Sequence, residues 1–151
     1  MSELKSKLQS DLNEAIKSRN TVVAETIRMI LSAITNEEVA GKEKKELSEA
    51  EVITVLTREA KKRREAAEAF EQGGRADRAV AERAEGEVIA GYLPEQLSEE
   101  QINKLIAETI TAVGAAGPSD MGKVMGALKA KVAGKADGAV VSSLVKAALN
   151  K

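Results

Sequence analysis

The sequence predicts an all-α protein in two helical parts, and three observations carry that prediction. Apolar residues recur at i, i+3 and i+4 along nearly all of the 151 residues, the period of helices with one buried face. Two strings, Ser48-Glu49-Ala50-Glu51 and Ser98-Glu99-Glu100-Gln101, have the spacing of a capping box, in which a hydroxyl and a side chain three residues on satisfy each other's free amides. Between them, Tyr92-Leu93-Pro94 ends a helix, because the residue before a proline is pushed out of helical backbone angles. Strand signals are weak throughout.

Each element follows from its own pattern. The first helix carries Leu4, Leu8, Leu12 and Ile16 at i, i+4 spacing, and Asn20-Thr21 offers a break and an N-cap. The second carries Val22, Val23, Thr26, Ile27, Ile30, Leu31 and Ile34, a broad apolar stripe. Residues 40–47 form a charged connection with Gly41 as the helix stop. From Ser48 a long helix runs to about Glu71, with Val52, Val55, Leu56, Ala66 and Phe70 inward, until Gly73-Gly74 breaks it. The next extends from about Ala76 to Gly91 on Ala79, Val80, Ala84, Val88 and Ile89. Three short helices follow, on Ile102, Leu105, Ile106, Thr109 and Ile110, then Met121, Val124, Met125, Leu128 and Val132, then Val140, Val141, Leu144, Val145 and Leu149. The expected architecture is an N-terminal bundle of about four helices, residues 1–92, followed by a compact three-helix C-terminal domain, residues 97–151.

Composition narrows the chemistry. There is no cysteine, which removes disulfides, thiolate nucleophiles and zinc–sulfur sites. There is no histidine, which removes the commonest general base and transition-metal ligand. Phe70 and Tyr92 are the only aromatic residues, so the cores must be aliphatic. No catalytic residue, metal site or cofactor is expected. No apolar run reaches the roughly 18–20 residues of a membrane span, and the charged start Met1-Ser2-Glu3-Leu4-Lys5 leads into an amphipathic helix rather than a signal peptide. The expected location is cytoplasmic, without membrane association.

Two longer strings carry a resemblance. One runs from Phe70-Glu71-Gln72-Gly73-Gly74-Arg75 through Tyr92-Leu93-Pro94-Glu95-Gln96-Leu97-Ser98. The other is Asp120-Met121-Gly122-Lys123-Val124-Met125-Gly126, followed by Gly134-Lys135-Ala136-Asp137-Gly138. Together they resemble the GatB/YqeY domain family, specifically its free-standing YqeY-like members, and the Arg28-Met29-Ile30 helix fits the N-terminal part. The resemblance implies an N-terminal helical part and a three-helix domain. A similar domain forms the tail of the GatB component of glutamine-dependent aspartyl/glutamyl-tRNA amidotransferase, where it helps to hold the tRNA while the carbon–nitrogen ligase chemistry sits on other domains.

The charge pattern gives that implication a place to act. The net charge is −1, yet from Ser119 onward six lysines face only Asp120 and Asp137. Lys123, Lys129 and Lys131 fall on one helix with Lys135 in the following turn, and flexible ammonium groups on an outer face suit phosphate contacts. These four are the candidate RNA-binding residues, with tRNA or a tRNA-handling enzyme as the partner. Their plainer reading is an ordinary solvated face. Gly122-Lys123-Val124-Met125-Gly126 lacks the spacing of a phosphate loop, and its glycines are expected to let two helices approach closely. Lys61-Lys62-Arg63-Arg64 spreads around its helix and is expected to pair locally, as Glu59–Arg63 and Arg64–Glu68. Tyr92 is expected to pack between the two parts. The expected function is a non-catalytic tRNA-associated module. Two alternatives stand beside it: a protein–protein adaptor using the amphipathic helices, and an amidotransferase-like enzyme on the strength of the family association alone.

Overall fold

The computed structural model describes residues 2–150, and among them the chain is all-α, with seven α-helices and no strand. Backbone contacts divide it into two compact units, Met1–Leu93 and Pro94–Lys151.

The first unit contains α1 (Glu3–Lys17), α2 (Thr21–Glu38), α3 (Glu49–Gln72) and α4 (Ala76–Ala90). Local chemistry sets their ends. Asn20 caps α2 by accepting from the Val23 amide, and the capping box of Ser48 and Glu51 opens α3. Gly74 takes a left-handed φ of 76° between α3 and α4, a conformation glycine adopts without strain. Helix α2 stops at Glu38, with Val39 as its C-cap, so Gly41 lies beyond the stop that the sequence suggested. The core is aliphatic: Leu8 from α1, Ile27, Ile30 and Ile34 from α2, Val52, Val55 and Leu56 from α3, and Ile89 from α4. Each such burial contributes about 1.5–3 kcal/mol. Beyond this core the α3–α4 hairpin continues on small residues, Ala67 and Ala79. Val80 was expected to face inward and is instead 66% exposed. It lies about 100° round the helix from Ala79, and only Ala79 of the two is buried there.

Ionic contacts sew this unit together. The Glu38 side chain, 3% exposed as a residue, accepts from Lys5 Nζ at 2.9 Å and from the Leu47 amide at 3.4 Å, joining α1, the end of α2 and the α2–α3 connection. Arg63 reaches across to α4, 3.1 Å from Glu82 and 3.4 Å from Glu85, while Glu59 pairs with Lys62 at 3.2 Å. The expected Glu59–Arg63 pair is therefore replaced, because α4 offers Arg63 two carboxylates. Tyr92 is engaged inside the first unit: its hydroxyl donates to Asp11 at 2.6 Å and Lys7 Nζ sits 4.9 Å from the ring centroid. Burial, and then the Asp11 carboxylate, push the phenol well above its usual pKa.

The second unit contains α5 (Glu99–Val113), a 3-10 turn (Pro118–Asp120), α6 (Met121–Val132) and α7 (Gly138–Leu149). A capping box of Ser98 and Gln101 opens α5, and Gly114 closes it at a φ of 67°. The core combines Ile102 and Ile106 of α5, Val124, Leu128 and Val132 of α6, and Val141, Val145 and Leu149 of α7. The buried Thr109 hydroxyl is satisfied by the Leu105 carbonyl at 2.7 Å.

Candidate nucleic-acid interface

Helix α6 buries Val124, Leu128 and Val132 in the core, and the residues between them turn partly or fully outward. Gly122, Lys123, Gly126, Lys129, Ala130 and Lys131 are all exposed. On α7 the exposed residues include Ala139, Val140, Ser143, Lys146 and Ala147. Neither helix contains a carboxylate. Their outer surface is therefore small, smooth and, where charged, exclusively cationic. Helix α5 differs, with Glu99, Glu100 and Glu108 all exposed.

The four candidate lysines occupy two kinds of position. Lys123, Lys129 and Lys131 project from α6, and Lys135 follows it in the turn to α7. On an ideal helix Lys123 and Lys131 point about 80° apart, whereas Lys129 and Lys131 point about 160° apart. They flank the glycine–alanine strip rather than converging on one point. Each is exposed, and none forms an ion pair among the described residues. Lys146 on α7 shares both properties and lies outside the set of four. Its signal in the sequence is the absence of any acidic residue on α7, a property of a whole helix rather than of one position.

The backbone under Lys135 is fixed by the other family-like string. Gln96 Nε2 donates to the Gly134 carbonyl at 2.7 Å and to the Pro94 carbonyl at 3.0 Å, and the Leu97 amide donates to the Lys135 carbonyl at 2.8 Å. Gly134 takes a φ of 73° in this turn. The two strings thus meet in one hydrogen-bonded knot that sets where the Lys135 side chain leaves the surface.

One expectation about this segment is corrected. An added Cβ on Gly122 or Gly126 would meet nothing within 4 Å, so these glycines do not mediate helix–helix packing; they lie on the open face. Asp120 stands at the N-cap position of α6 without capping it. Its carboxylate turns back to accept from the Ala116 amide at 2.8 Å and the Gly117 amide at 3.4 Å, and these bonds hold its pKa below the usual carboxylate value.

Among the described residues no group of three or more His, Cys, Asp or Glu is arranged to hold a metal, and no helix is long and apolar enough to cross a membrane.

Comparison with known proteins adds the family. The family described as Yqey-like protein matches residues 5–149. The chain is 38% identical over 105 residues to a protein of Clavispora lusitaniae named altered inheritance of mitochondria protein 41, mitochondrial; the match covers 68% of this chain and 60% of that relative. A protein of the same name from Pyrenophora tritici-repentis is 28% identical over 133 residues, covering 86% of this chain and 71% of the relative. An uncharacterized protein of Schizosaccharomyces pombe is 33% identical over 96 residues, covering 63% of this chain and 76% of its own length. The two relatives whose names state a compartment are mitochondrial, which overturns the cytoplasmic location expected from the sequence. That expectation rested on the lack of a secretory h-region and of an apolar span, and neither feature separates the cytosol from the interior of an organelle. With the match running through both units, the chain belongs to the Yqey-like protein family.

Proposed function

We propose that this chain is a non-catalytic RNA-docking module. In this reading a four-helix N-terminal domain carries a three-helix C-terminal domain, whose α6–α7 face lies against the phosphates of a folded RNA, with tRNA the expected partner. One observation carries the reading: five lysines of the second unit, Lys123, Lys129, Lys131, Lys135 and Lys146, are exposed and have no ion-pair partner among the described residues, and the two helices bearing four of them have no carboxylate. Cations held this way are ready to displace counterions from a phosphate backbone. The strip of Gly122, Gly126 and Ala130 between them keeps side-chain bulk out of the way of a close approach. With no aromatic residue in the second unit to stack several bases, affinity would come from phosphates and shape.

The absence of cysteine and histidine from the sequence supports docking over bond-making chemistry. The adaptor alternative finds less support: the exposed large apolar residues, Ile16, Val22, Val39, Val80 and Val140, are spread over different elements, as on ordinary protein surfaces.

The test is the binding of the full chain to tRNA across a salt series. Contacts from four or five lysines predict a slope of log affinity against log salt of roughly −3 to −4. Changing Lys123, Lys131 and Lys135 together to Glu is expected to abolish binding with helicity unchanged. Salt-insensitive binding, or binding that survives the triple change, would remove the reading.

A further inference from the structure

A cleft of about 440 Å³ opens in the second unit between the Pro118–Asp120 turn and α7, lined by Pro118, Met121, Ser142, Lys146, Leu149 and Asn150. Its size falls in the roughly 300–1,000 Å³ range of small-molecule sites. The two walls differ in chemistry. Leu149 belongs to the α7 side, and Pro118 and Met121 make an apolar surface. Opposite them, Ser142, Lys146 and Asn150 follow one another at i, i+4 and i+8 along α7 and its cap, which puts a hydroxyl, an ammonium and a carboxamide in one row. None of these three side chains has a hydrogen-bond or ion-pair partner among the described residues. An apolar wall facing a few convergent polar groups is the composition of a ligand site rather than of a packing defect.

We infer that this cleft takes one unstacked nucleotide of a bound RNA; the inference rests on the RNA-docking reading. The base would lie against Met121, whose polarisable thioether suits an aromatic ring edge, in a unit with no aromatic side chain to do that work. The phosphate of the same nucleotide would meet Lys146, while Ser142 and Asn150 supply hydrogen bonds to sugar and base. Charge decides for an anionic occupant over a neutral apolar one, because the ammonium on the rim has no carboxylate partner among the described residues. Unpaired nucleotides are where proteins read RNA bases.

The experiment uses the full chain with ¹³C-methyl-labelled methionine and two RNAs, a blunt twelve-pair duplex and the same duplex with a two-nucleotide 3′ overhang. The overhang is expected to tighten binding about fivefold to tenfold and to shift the Met121 methyl resonance, which the blunt duplex leaves in place. Ser142→Phe, which fills the cleft, and Asn150→Ala, on its rim, are each expected to shrink that margin while salt-sensitive duplex binding persists. Equal binding of the two RNAs, or a margin untouched by both changes, overturns the cleft assignment and leaves the docking reading standing. Failure of both RNAs to bind overturns both. Adenosine monophosphate alone, shifting the methyl at the affinity of the overhang, would reassign the cleft to free nucleotides and overturn RNA as its occupant. If Ser142→Phe does not fold, the methyl shift in the unaltered chain decides: present with the overhang alone it supports the assignment, and absent it refutes it.

Discussion

The two units of this protein differ in how many of their cations are paired. In the first, many are committed inward or sideways, Lys5 to Glu38, Lys7 to Asp11, Lys45 to Glu51, Arg58 to Glu37, Arg63 to Glu82 and Glu85, Arg83 to Glu71, while exposed Arg19, Arg28 and Lys42 form no ion pair among the described residues. In the second, Lys123, Lys129, Lys131, Lys135 and Lys146 have no such partner among the described residues, and the core that supports them is purely aliphatic. The difference teaches where to look for function in a chain of net charge −1. A count of lysines and arginines finds Lys61-Lys62-Arg63-Arg64 first, and the structure shows that Lys62 and Arg63 of this run are spent on Glu59, Glu82 and Glu85. The cations of α6 and α7 stand out not by their number but by the absence of any carboxylate on their own helices.

The comparison can be broken or sharpened by substitution. The largest effect is expected at Glu38. Glu38→Ala strands the Lys5 ammonium, 16% exposed, and the Leu47 amide without their acceptor, and is expected to cost about 2–3 kcal/mol in a urea titration. Lys5→Met with Glu38→Met together should recover most of that loss, because apolar isosteres leave no charge unpaired. The next effect has the opposite sign. Gly122→Ala and Gly126→Ala each place a Cβ in open space on a helix and are expected to raise stability by about 0.8–1 kcal/mol. A loss of stability instead would mean that the glycines are packed against something after all.

Acid should separate the two units more gently. The first unit holds several carboxylates lowered by their partners: Asp11 by Lys7 and Tyr92, Glu38 by Lys5, Glu51 by Lys45, Glu71 by Arg83. A depressed folded-state pKa stabilises above the unfolded value and is lost as pH falls through the folded one. Stability of the first unit is thus expected to decline as pH drops below the ordinary carboxylate values of 3.8 and 4.5, whereas the second unit has Asp120 as its lowered carboxylate. Amide exchange followed residue by residue from about pH 6 downward checks this. The smallest effect is expected at the docking lysines themselves. Lys123→Ala and Lys129→Ala should leave stability within about 0.5 kcal/mol, since both side chains are exposed and neither forms an ion pair among the described residues.

Much of the fold was legible because helix ends carry local signatures. Asn20, Ser48 and Ser98 each accept from the amide three residues on, as their neighbours in sequence implied. Periodicity also found the cores. It failed at Ile16, Val22, Val80 and Val140, which are apolar and on the right period but 46%, 48%, 66% and 45% exposed. A period states which residues share a face; it does not state whether another helix covers that face along its whole length. The glycines of α6 were misread for the same reason, since small residues four apart look alike whether a helix or solvent stands opposite. Cross-helix partners such as Arg63 with Glu82 lie outside any local pattern. The four α6 and turn lysines were visible as charges, as was Lys146, but the cleft beside Lys146 was not.

The most direct measurement of the central claim is a matched pair of charge reversals in the full chain, read by tRNA affinity and by melting temperature. One set changes Lys123, Lys131 and Lys135 to Glu; the other changes Lys45, Arg58 and Arg83, which have carboxylate partners at 2.8, 3.3 and 2.6 Å, to Glu. The first set is expected to abolish binding with the melting temperature unchanged, and the second to lower the melting temperature with affinity nearly intact. Equal losses of affinity from both sets would contradict the account, because the RNA would then be responding to overall charge and not to the unpaired lysines of the second unit.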